Sequence, residues 1–550
     1  MLGHRAGSLA STFVACAILA GCSSFAGYER GVVVPYSELV QHKDSLEAFA
    51  EAEIRAGSVE RAFYVVELIR NREFVAQRQT ADRGALPAEY RDLGPYGDLL
   101  RKRSKGEFTT ADAQQLEALE RRMVEAGRSN DEEFWRYLRV LEARLEAYTE
   151  AQSLTEVPYT TIYGNDLIVA SARDAQLSLA PGEALLEYFF GDSTAYVFVV
   201  KGTGIEVRTL PESEQAIANA IETLRTQIID QPVRTPAGTV NEGWKIPARE
   251  LRQMLIAPLD AELDGVETLY LVNPGPLVNL PFQVLLAGDR VLLEDYRLVY
   301  EPSFSFYKTA SSRQRPTAVP KALAVGNGSL AMSMKEAAMV AAVFPEGQMW
   351  LVQDNPPANA GPLGQAYVPE VQVAAAQAFL HPAAGFQEFA AEWRIYDEYE
   401  NFNILHFATH GSLSAVAPLT SALALNGDPD GEDGNLTAAE VRTLDLSHAY
   451  LAFLSACQSA LTGRTKERED LASIAGAFII AGMPTVIGSL WSVNDLSTGA
   501  MVLRFYESFL ENGPGEALRQ AALWVRSGAV FPIHAHPKYW APFNVYGVDR

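Results

Sequence analysis

Two short apolar runs in the sequence lead into side chains that could form a nucleophilic centre. Residues 449–454 are almost wholly apolar and are soon followed by Cys457, and residues 403–409 lead into His410. Both runs have the length and composition of strands buried inside a parallel sheet. Ligands bind at the carboxyl edge of such sheets, so we expect an imidazole and a thiol at one edge. An adjacent base promotes formation of a thiolate, which can attack a carbonyl carbon.

The spacing of these two residues alone leaves a second interpretation open. About 47 residues separate His410 from Cys457, and a separation of about 50 is typical of caspases. The residues around Cys457 do not match the caspase signature, however. Cys457 could instead be a small buried apolar residue, with His410 a structural histidine in a turn.

The wider sequence resembles the CHAT domain, a bacterial branch of the caspase–separase cysteine peptidases with His-Gly and Ala-Cys motifs. The resemblance covers roughly residues 165–549. It implies an α/β fold, with a caspase-like, mostly parallel sheet flanked by helices and an all-α region before it. It also implies a cysteine endopeptidase with His410 as the base and Cys457 as the nucleophile. The matching segments are LAPGEALLEYFFGDSTAYVFVV (179–200), LVNPGPLVNLPFQVLL (271–286), HFATHG (406–411), LTAAEV (436–441), LAFLSACQSAL (451–461), LASIAGAFIIAGMPTVIGSLWSVND (471–495) and HPKYWAPFNVYG (536–547).

The backbone near the dyad is expected to stabilise the oxyanion of the reaction. Backbone N–H groups near Gly411 and Cys457 would bind it, and a glycine allows close approach because it has no side chain. No third residue that orients the histidine is evident from the sequence. His406 is interpreted as structural. His534 and His536 form a pair too small for a metal site, so we expect no metal and no cofactor.

Substrate recognition is expected at the segment that follows the next strand. Trp491 and Asp495 lie just beyond residues 484–490, which read as a buried strand ending at the same edge. A carboxylate in the pocket would favour cleavage after Arg or Lys. The alternative is that Asp495 caps the following helix, expected at 496–511.

The N-terminus reads as a targeting segment. Residues 1–21 contain a short apolar run that suits a signal peptide, and residues 19–22, Leu-Ala-Gly-Cys, resemble a bacterial lipobox. That resemblance implies cleavage before Cys22 and lipidation of Cys22 with palmitate. Residues 22–43 would then be a tether. We therefore expect a lipoprotein of the cell envelope, anchored to the outer membrane on its periplasmic face; a plain secretory signal is the alternative.

The segment from 44 to about 155 is expected to be helical, since apolar residues recur there at helical spacing. CHAT proteins commonly carry tetratricopeptide repeats in this position. No 34-residue period is visible, so one or two degenerate repeats at most are expected. These helices would bind a partner protein or would buttress the catalytic domain.

The remainder is predicted to form two caspase-like halves. Residues 165–310 would be an N-terminal half without a dyad, and residues 321–550 the catalytic half. A polar, Pro-containing segment at 311–320 separates them.

Charge and cysteine content narrow the possible partners. A net charge of −23 argues against nucleic acid as a partner. The resemblance to CHAT peptidases implies a protein or peptide substrate. The chain has Cys16, Cys22 and Cys457, so a mature lipoprotein keeps one free thiol. We therefore predict a membrane-anchored cysteine endopeptidase (hydrolase). A catalytically silent CHAT scaffold and an acyl-transfer enzyme that uses the same thiolate are the alternatives.

Overall fold

The computed structural model describes the chain in five main segments. They are residues 43–79, 109–115 with 118, 169–311 without 193, 320–352 without 331 and 345, and 388–549 without 391–394, 397, 415–419, 427–433, 443 and 462–472. The chain divides into two compact units. The first contains Met1–Arg83, Tyr163–Pro232 and Asn241–Gln314, and the second contains Gly84–Ile162, Val233–Val240 and Arg315–Arg550. None of the helices in the described segments is long and apolar enough to cross a bilayer.

The first unit is built on a mixed sheet with the strand order β7-β4-β1-β2-β3. Strands β1, β4 and β7 are parallel, and β2 and β3 add antiparallel neighbours. The strands of the first unit are β1 (Glu183–Phe190), β2 (Ala195–Lys201), β3 (Gly204–Thr209), β4 (Thr268–Val272), β5 (Leu286–Ala287), β6 (Arg290–Val291) and β7 (Arg297–Glu301). Strands β5 and β6 form a separate two-stranded sheet. Its helices are α1 (Lys43–Arg55), α2 (Val59–Gln79), α3 (Ala172–Ser178), α4 (Glu214–Ile229), α5 (Lys245–Leu255), α6 (Leu292–Asp295) and α7 (Phe304–Ser311).

Helices α1 and α2 pack against the sheet of the first unit. The Tyr196 hydroxyl donates to Glu51 Oε1 at 3.1 Å, and Arg70 Nη2 donates to the backbone oxygen of Tyr188 at 2.6 Å. Glu67 of α2 accepts from the backbone N–H groups of Phe304 and Ser305 at 2.9 and 2.7 Å. A carboxylate is favourable at these N–H groups because they open helix α7. These contacts attach α1 and α2 to the sheet and to helix α7 of the first unit.

Three buried carboxyl groups lie together in the first unit. The strand register places Glu187 and Glu301 level with each other on either side of Val272, and Glu67 reaches them from α2. Burial raises the pKa of Glu187 and Glu301 well above the usual range, and the charge of Glu67 raises the pKa of both further. The Arg70 guanidinium partly offsets this at Glu187, with Nε 3.8 Å from Glu187 Oε1.

The second unit contains a mostly parallel sheet with the strand order β10-β9-β8-β11-β15-β16-β17. Every neighbouring pair is parallel except β16 with β17. Its strands are β8 (Ala322–Asn327), β9 (Gln348–Val352), β10 (Glu388–Phe389), β11 (Ile404–Ala408), β15 (Leu451–Ser455), β16 (Thr485–Ser489) and β17 (Phe543–Gly547). A small antiparallel sheet contains β12 (Gly411–Ser412), β13 (Ala422–Ala424) and β14 (Asn435–Thr437).

Helices cover both faces of this sheet. They are α8 (Ser333–Val343), α9 (Ala438–Val441), α10 (Ile474–Ile480), α11 (Asp495–Arg526) and α12 (Pro537–Trp540). Successive side chains of a strand point to opposite faces. Phe407 contacts Phe478 of α10 on one face, with ring centroids 5.7 Å apart. His406 contacts Tyr506 of α11 on the other face, also at 5.7 Å. The prediction of an α/β fold with a mostly parallel sheet flanked by helices is confirmed.

Helix α11 has two parts, and the first of them ends near the predicted residue 511. Its backbone is interrupted at Gly513, where φ is 75°, and the helix resumes at Pro514. The Asp549 carboxylate accepts from the backbone N–H of Gly515 at 2.6 Å. The C-terminal segment therefore supplies the N-terminal capping group for the second part of α11.

Several sequence predictions concern residues outside the described segments. These are the signal peptide at 1–21, the lipidated Cys22, the tether to residue 42 and most of the helical region to 155. The proposed domain boundaries stay predictions.

Candidate active site

The strand register brings the predicted dyad to one edge of the sheet in the second unit. Parallel strands β11 and β15 pair Ala408 with Ser455. His410 and Cys457 each lie two residues beyond that pair, past the carboxyl ends of neighbouring strands. His410 is exposed and Cys457 is partly exposed. A base and a thiol that solvent and substrate can reach therefore share one edge.

Gly411 packs directly against the peptide backbone of the cysteine. A β-carbon built on Gly411 would lie 2.4 Å from Cys457 O, 3.3 Å from Cys457 N and 3.3 Å from Ala456 Cβ. Real β-carbons essentially never approach an oxygen so closely, so this position requires a glycine. The absence of a side chain at residue 411 thus allows the histidine segment to touch the cysteine segment.

The turn after Cys457 is held in an unusual backbone conformation. Gln458 has φ of 56°, and it is the one non-glycine residue with positive φ among those described. Such a conformation costs about 1–2 kcal/mol. Ser489, at the end of β16, donates its hydroxyl to Ala456 O at 2.6 Å and accepts from Ala460 N through its carbonyl at 2.9 Å. These two hydrogen bonds, one on each side of Gln458, hold the turn. They keep Gln458 in its strained backbone conformation.

The histidine side chain has a hydrogen-bond partner that the sequence did not reveal. Ser329 Oγ lies 2.9 Å from His410 Nε2. Ser329 follows strand β8, which is paired with β11 and ends at the same edge of the sheet. The polar residues Asn327 and Ser329, at the end of a buried strand, are the sequence feature that could have indicated this partner. The backbone of His410 is fixed separately, because its carbonyl accepts from Ala424 N at 2.9 Å.

Of the two predicted substrate-binding residues, Trp491 is buried and Asp495 is partly exposed. Trp491 is 1% exposed, and its indole N–H donates to Lys538 O at 3.1 Å, so it packs in the core. Asp495 is partly exposed in the first turn of α11. The capping group of that helix is Asn494, whose side chain accepts from Ser497 N at 3.1 Å. The capping role considered for Asp495 therefore belongs to its neighbour.

The other histidines considered in the sequence are buried. His406 Nε2 lies 3.0 Å from Glu336 Oε1, and Tyr506 OH lies 3.3 Å from His406 Nδ1. Burial and the charge of Glu336 raise the pKa of Tyr506 well above its usual value. Burial and nearby Lys538 lower the pKa of His536 to about 4. His536 is neutral at physiological pH, and its Nδ1 accepts from Lys538 N at 3.3 Å.

Comparison with known proteins identifies the family. The CHAT domain profile matches residues 245–548, more than half of the chain, so the protein belongs to the CHAT domain family. The human protein Tetratricopeptide repeat protein 28 is 24% identical over 408 residues. That alignment covers 65% of this chain but only 15% of the human protein.

Two solved structures are also similar at low sequence identity. The Saccharomyces cerevisiae separase–securin complex matches with a TM-score of 0.39 and 11% identity, covering 94% of this chain and 44% of that chain. The complex of the pro- and mature domains of RgpB from Porphyromonas gingivalis matches with a TM-score of 0.35 and 11% identity, covering 61% of this chain and 76% of that chain.

Proposed function

We propose that this CHAT protein is a cysteine endopeptidase with His410 as base and Cys457 as nucleophile. The observation that carries this proposal is the contact between Gly411 and the Cys457 backbone, in a register that sets His410 and Cys457 each two positions beyond the Ala408–Ser455 pair. A thiol and an imidazole that are both accessible at one sheet edge could supply the nucleophile and the base for attack on a carbonyl.

The reaction would proceed in two steps. His410 takes the thiol proton, and the Cys457 sulfur attacks the peptide carbonyl carbon. His410 then gives that proton to the leaving amine, and a thioester remains on Cys457. A water molecule, deprotonated by His410, then attacks the thioester carbon, the C–S bond breaks, and His410 returns the proton to the Cys457 sulfur as the new carboxyl terminus leaves.

Backbone groups would stabilise the oxyanion formed in each step. The N–H of Cys457 has no acceptor among the residues that the structure describes, so it remains available to an incoming oxygen. The backbone N–H of Gly411 is the second proposed donor. Loss of one oxyanion donor typically lowers kcat by about a hundredfold or more.

The proposed substrate is a protein cleaved after Arg or Lys. Support comes from the Asp495 carboxylate, which is partly exposed and is not used as the capping acceptor of α11. A cationic side chain of the substrate would neutralise this carboxylate.

We further propose that the chain is anchored in the cell envelope through lipid on Cys22. Support comes from the Leu-Ala-Gly-Cys sequence at 19–22, directly after an apolar run. Metabolic labelling with a tagged fatty acid tests this proposal. Label should enter the native chain and be absent from Cys22→Ala, and equal labelling of the two would contradict the anchor.

Labelling of Cys457 tests the catalytic proposal. The chain without residues 1–22 retains Cys457 as its one thiol. It would be treated at neutral pH with an electrophilic peptide carrying Arg next to the reactive group, with His410→Ala and Cys457→Ala in parallel. A small thiol reagent reports the accessibility of the thiol.

The expected result is rapid peptide labelling that both substitutions abolish. A thiol of ordinary reactivity that is indifferent to His410 would overturn the proposal and favour a scaffold. Fast labelling without cleavage of any peptide library would instead favour acyl transfer by the same thiolate.

A further inference from the structure

The hydrogen bond at His410 is the end of a chain of polar groups that begins in the protein interior. Thr409 Oγ1 donates to Ala424 O at 2.7 Å, and Asn327 Nδ2 donates to Thr409 Oγ1 at 3.1 Å. Ser329 Oγ then lies 2.6 Å from Asn327 Oδ1 and 2.9 Å from His410 Nε2. Asn327 and Thr409 are buried, whereas Ser329 and His410 are exposed.

The direction of the hydrogen bonds between Asn327, Ser329 and His410 follows from groups that can only donate or can only accept. The backbone N–H of Ser329 donates to the Asn327 side chain at 2.9 Å, so the atom that faces it must be the amide oxygen. An amide oxygen accepts and never donates. The Ser329 hydroxyl must therefore donate its single proton to Asn327 Oδ1.

The serine oxygen can then interact with the imidazole only as an acceptor. Because its proton is committed to Asn327, Ser329 Oγ must accept from His410 Nε2–H. In the neutral imidazole one nitrogen carries the proton and the other is the base. A proton on Nε2 leaves Nδ1 as the basic nitrogen.

We propose that Asn327 and Ser329 are positioning residues that select the tautomer of His410 with the proton on Nε2, so that Nδ1 receives the proton of the Cys457 thiol. This role rests on the peptidase function proposed above. The same bond persists when His410 is protonated, since Nε2–H donates in both states. The pair would therefore hold the ring in one orientation throughout the reaction.

The two positions should respond differently to substitution. Ser329→Ala removes the acceptor and should leave both tautomers populated. Asn327→Ala frees the serine proton, which can then be donated to Nε2, so the population with the proton on Nδ1 should rise. Ser329→Thr keeps a hydroxyl and should restore the native tautomer.

Nitrogen-15 NMR of histidine side chains in the full chain tests the assignment directly. Spectra would be recorded at a pH where His410 is neutral, with the His410 signals assigned from their absence in His410→Gln. We expect the Nε2–H pattern in the native chain and a shift towards Nδ1–H in Asn327→Ala. An Nδ1–H pattern in the native chain would overturn the proposal, as would native-like tautomer populations in both Ser329→Ala and Asn327→Ala.

Labelling kinetics supply a second readout. Ser329→Ala should lower the maximal rate of Cys457 labelling by about threefold to tenfold, with little change in the half-saturating probe concentration. Ser527→Ala is the matched control, because Ser527 is an exposed serine whose hydroxyl donates to Trp524 O. Its labelling should equal that of the native chain.

The two readouts separate this proposal from the proposed function. If the native chain shows the expected tautomer but no peptide probe labels it, selection of the tautomer by Asn327 and Ser329 stands and the peptidase function is refuted. Efficient labelling of a chain in which His410 carries its proton on Nδ1 would support the peptidase and refute the proposed tautomer selection.

Discussion

A β-carbon at position 411 would lie 2.4 Å from the backbone oxygen of Cys457, so the residue after the histidine touches the peptide of the cysteine. This contact joins the ends of β11 and β15 where the strands no longer pair. It makes the relative placement of the two side chains depend on a residue that has no side chain itself.

Gly411→Ala should therefore disable the site. The new methyl group must displace the Cys457 peptide, which we expect to cost about 1–3 kcal/mol in the free energy of unfolding and to abolish most peptide labelling. Chemical denaturation and probe labelling measure the two effects. Gly204→Ala is the control, because a β-carbon there meets nothing within 4 Å. Native labelling rates in Gly411→Ala would contradict the proposed geometry.

Asp495→Asn should reduce labelling by peptides that carry Arg or Lys while sparing peptides with an uncharged residue there. Loss of a hydrogen bond to a charged group is worth about 1.5–3 kcal/mol, or roughly tenfold to a hundredfold in rate. Asp264→Asn is the comparison, since Asp264 is an exposed aspartate that lies in the first unit. If Asp495→Asn slows all peptides equally, Asp495 has no role in selecting the cation.

The buried His406 should contribute to stability rather than to chemistry. His406→Ala leaves a cavity and strands the Glu336 carboxylate, so we expect a loss of about 2–4 kcal/mol in the free energy of unfolding. Tyr506→Phe removes only the hydroxyl 3.3 Å from His406 Nδ1 and should cost about 1 kcal/mol. Urea denaturation of the two variants tests this order, and equal losses would show that the carboxylate is not the costly group.

The carboxyl cluster of the first unit should make stability depend on pH. Glu187 and Glu301 ionise near pH 4.3 in the unfolded chain but at higher pH in the folded one, where burial and Glu67 raise the pKa of both. Their stabilising effect is complete below about pH 4 and is lost as the pH rises through the folded pKa.

Glu187→Gln removes one of these titrations and should be more stable than the native chain at pH 8, by about 1–4 kcal/mol. The difference should shrink towards pH 4. Denaturation curves across this range provide the measurement, with the exposed Glu212→Gln as a control that should follow the native curve. A gap between Glu187→Gln and the native chain that does not change with pH would contradict the raised pKa.

The strands that end near His410 and Cys457 could be predicted because each is a short apolar run, which is a local sequence pattern. Residues 403–409 and 449–455 are short apolar runs, and they form β11 and β15 nearly as expected. The turn that Gln458 makes and the contact of Gly411 with Cys457 depend on packing between distant segments, which no local pattern encodes.

Other elements were missed or misjudged for identifiable physical reasons. Ser329 was overlooked because its partner is 81 residues away in the sequence. The first part of α11 ends near the predicted residue 511 because Gly513 and Pro514 interrupt the helix, but the second part was missed because its cap, Asp549, is distant in the sequence. The burial of Trp491, predicted as a substrate-binding residue, was not evident from the sequence, because the Lys538 oxygen that accepts from its indole N–H is 47 residues away.

The position of β17 in the chain sets an order of events during synthesis. The chain emerges from the ribosome with its N-terminus first, so His410 and Cys457 appear well before Phe543–Gly547. Until then β16 lacks its antiparallel neighbour and α11 lacks the Asp549 cap. An unpaired strand edge invites pairing with other chains. The nascent second unit therefore passes through a stage in which Cys457 has already been synthesised while the edge of its sheet can still pair with other strands.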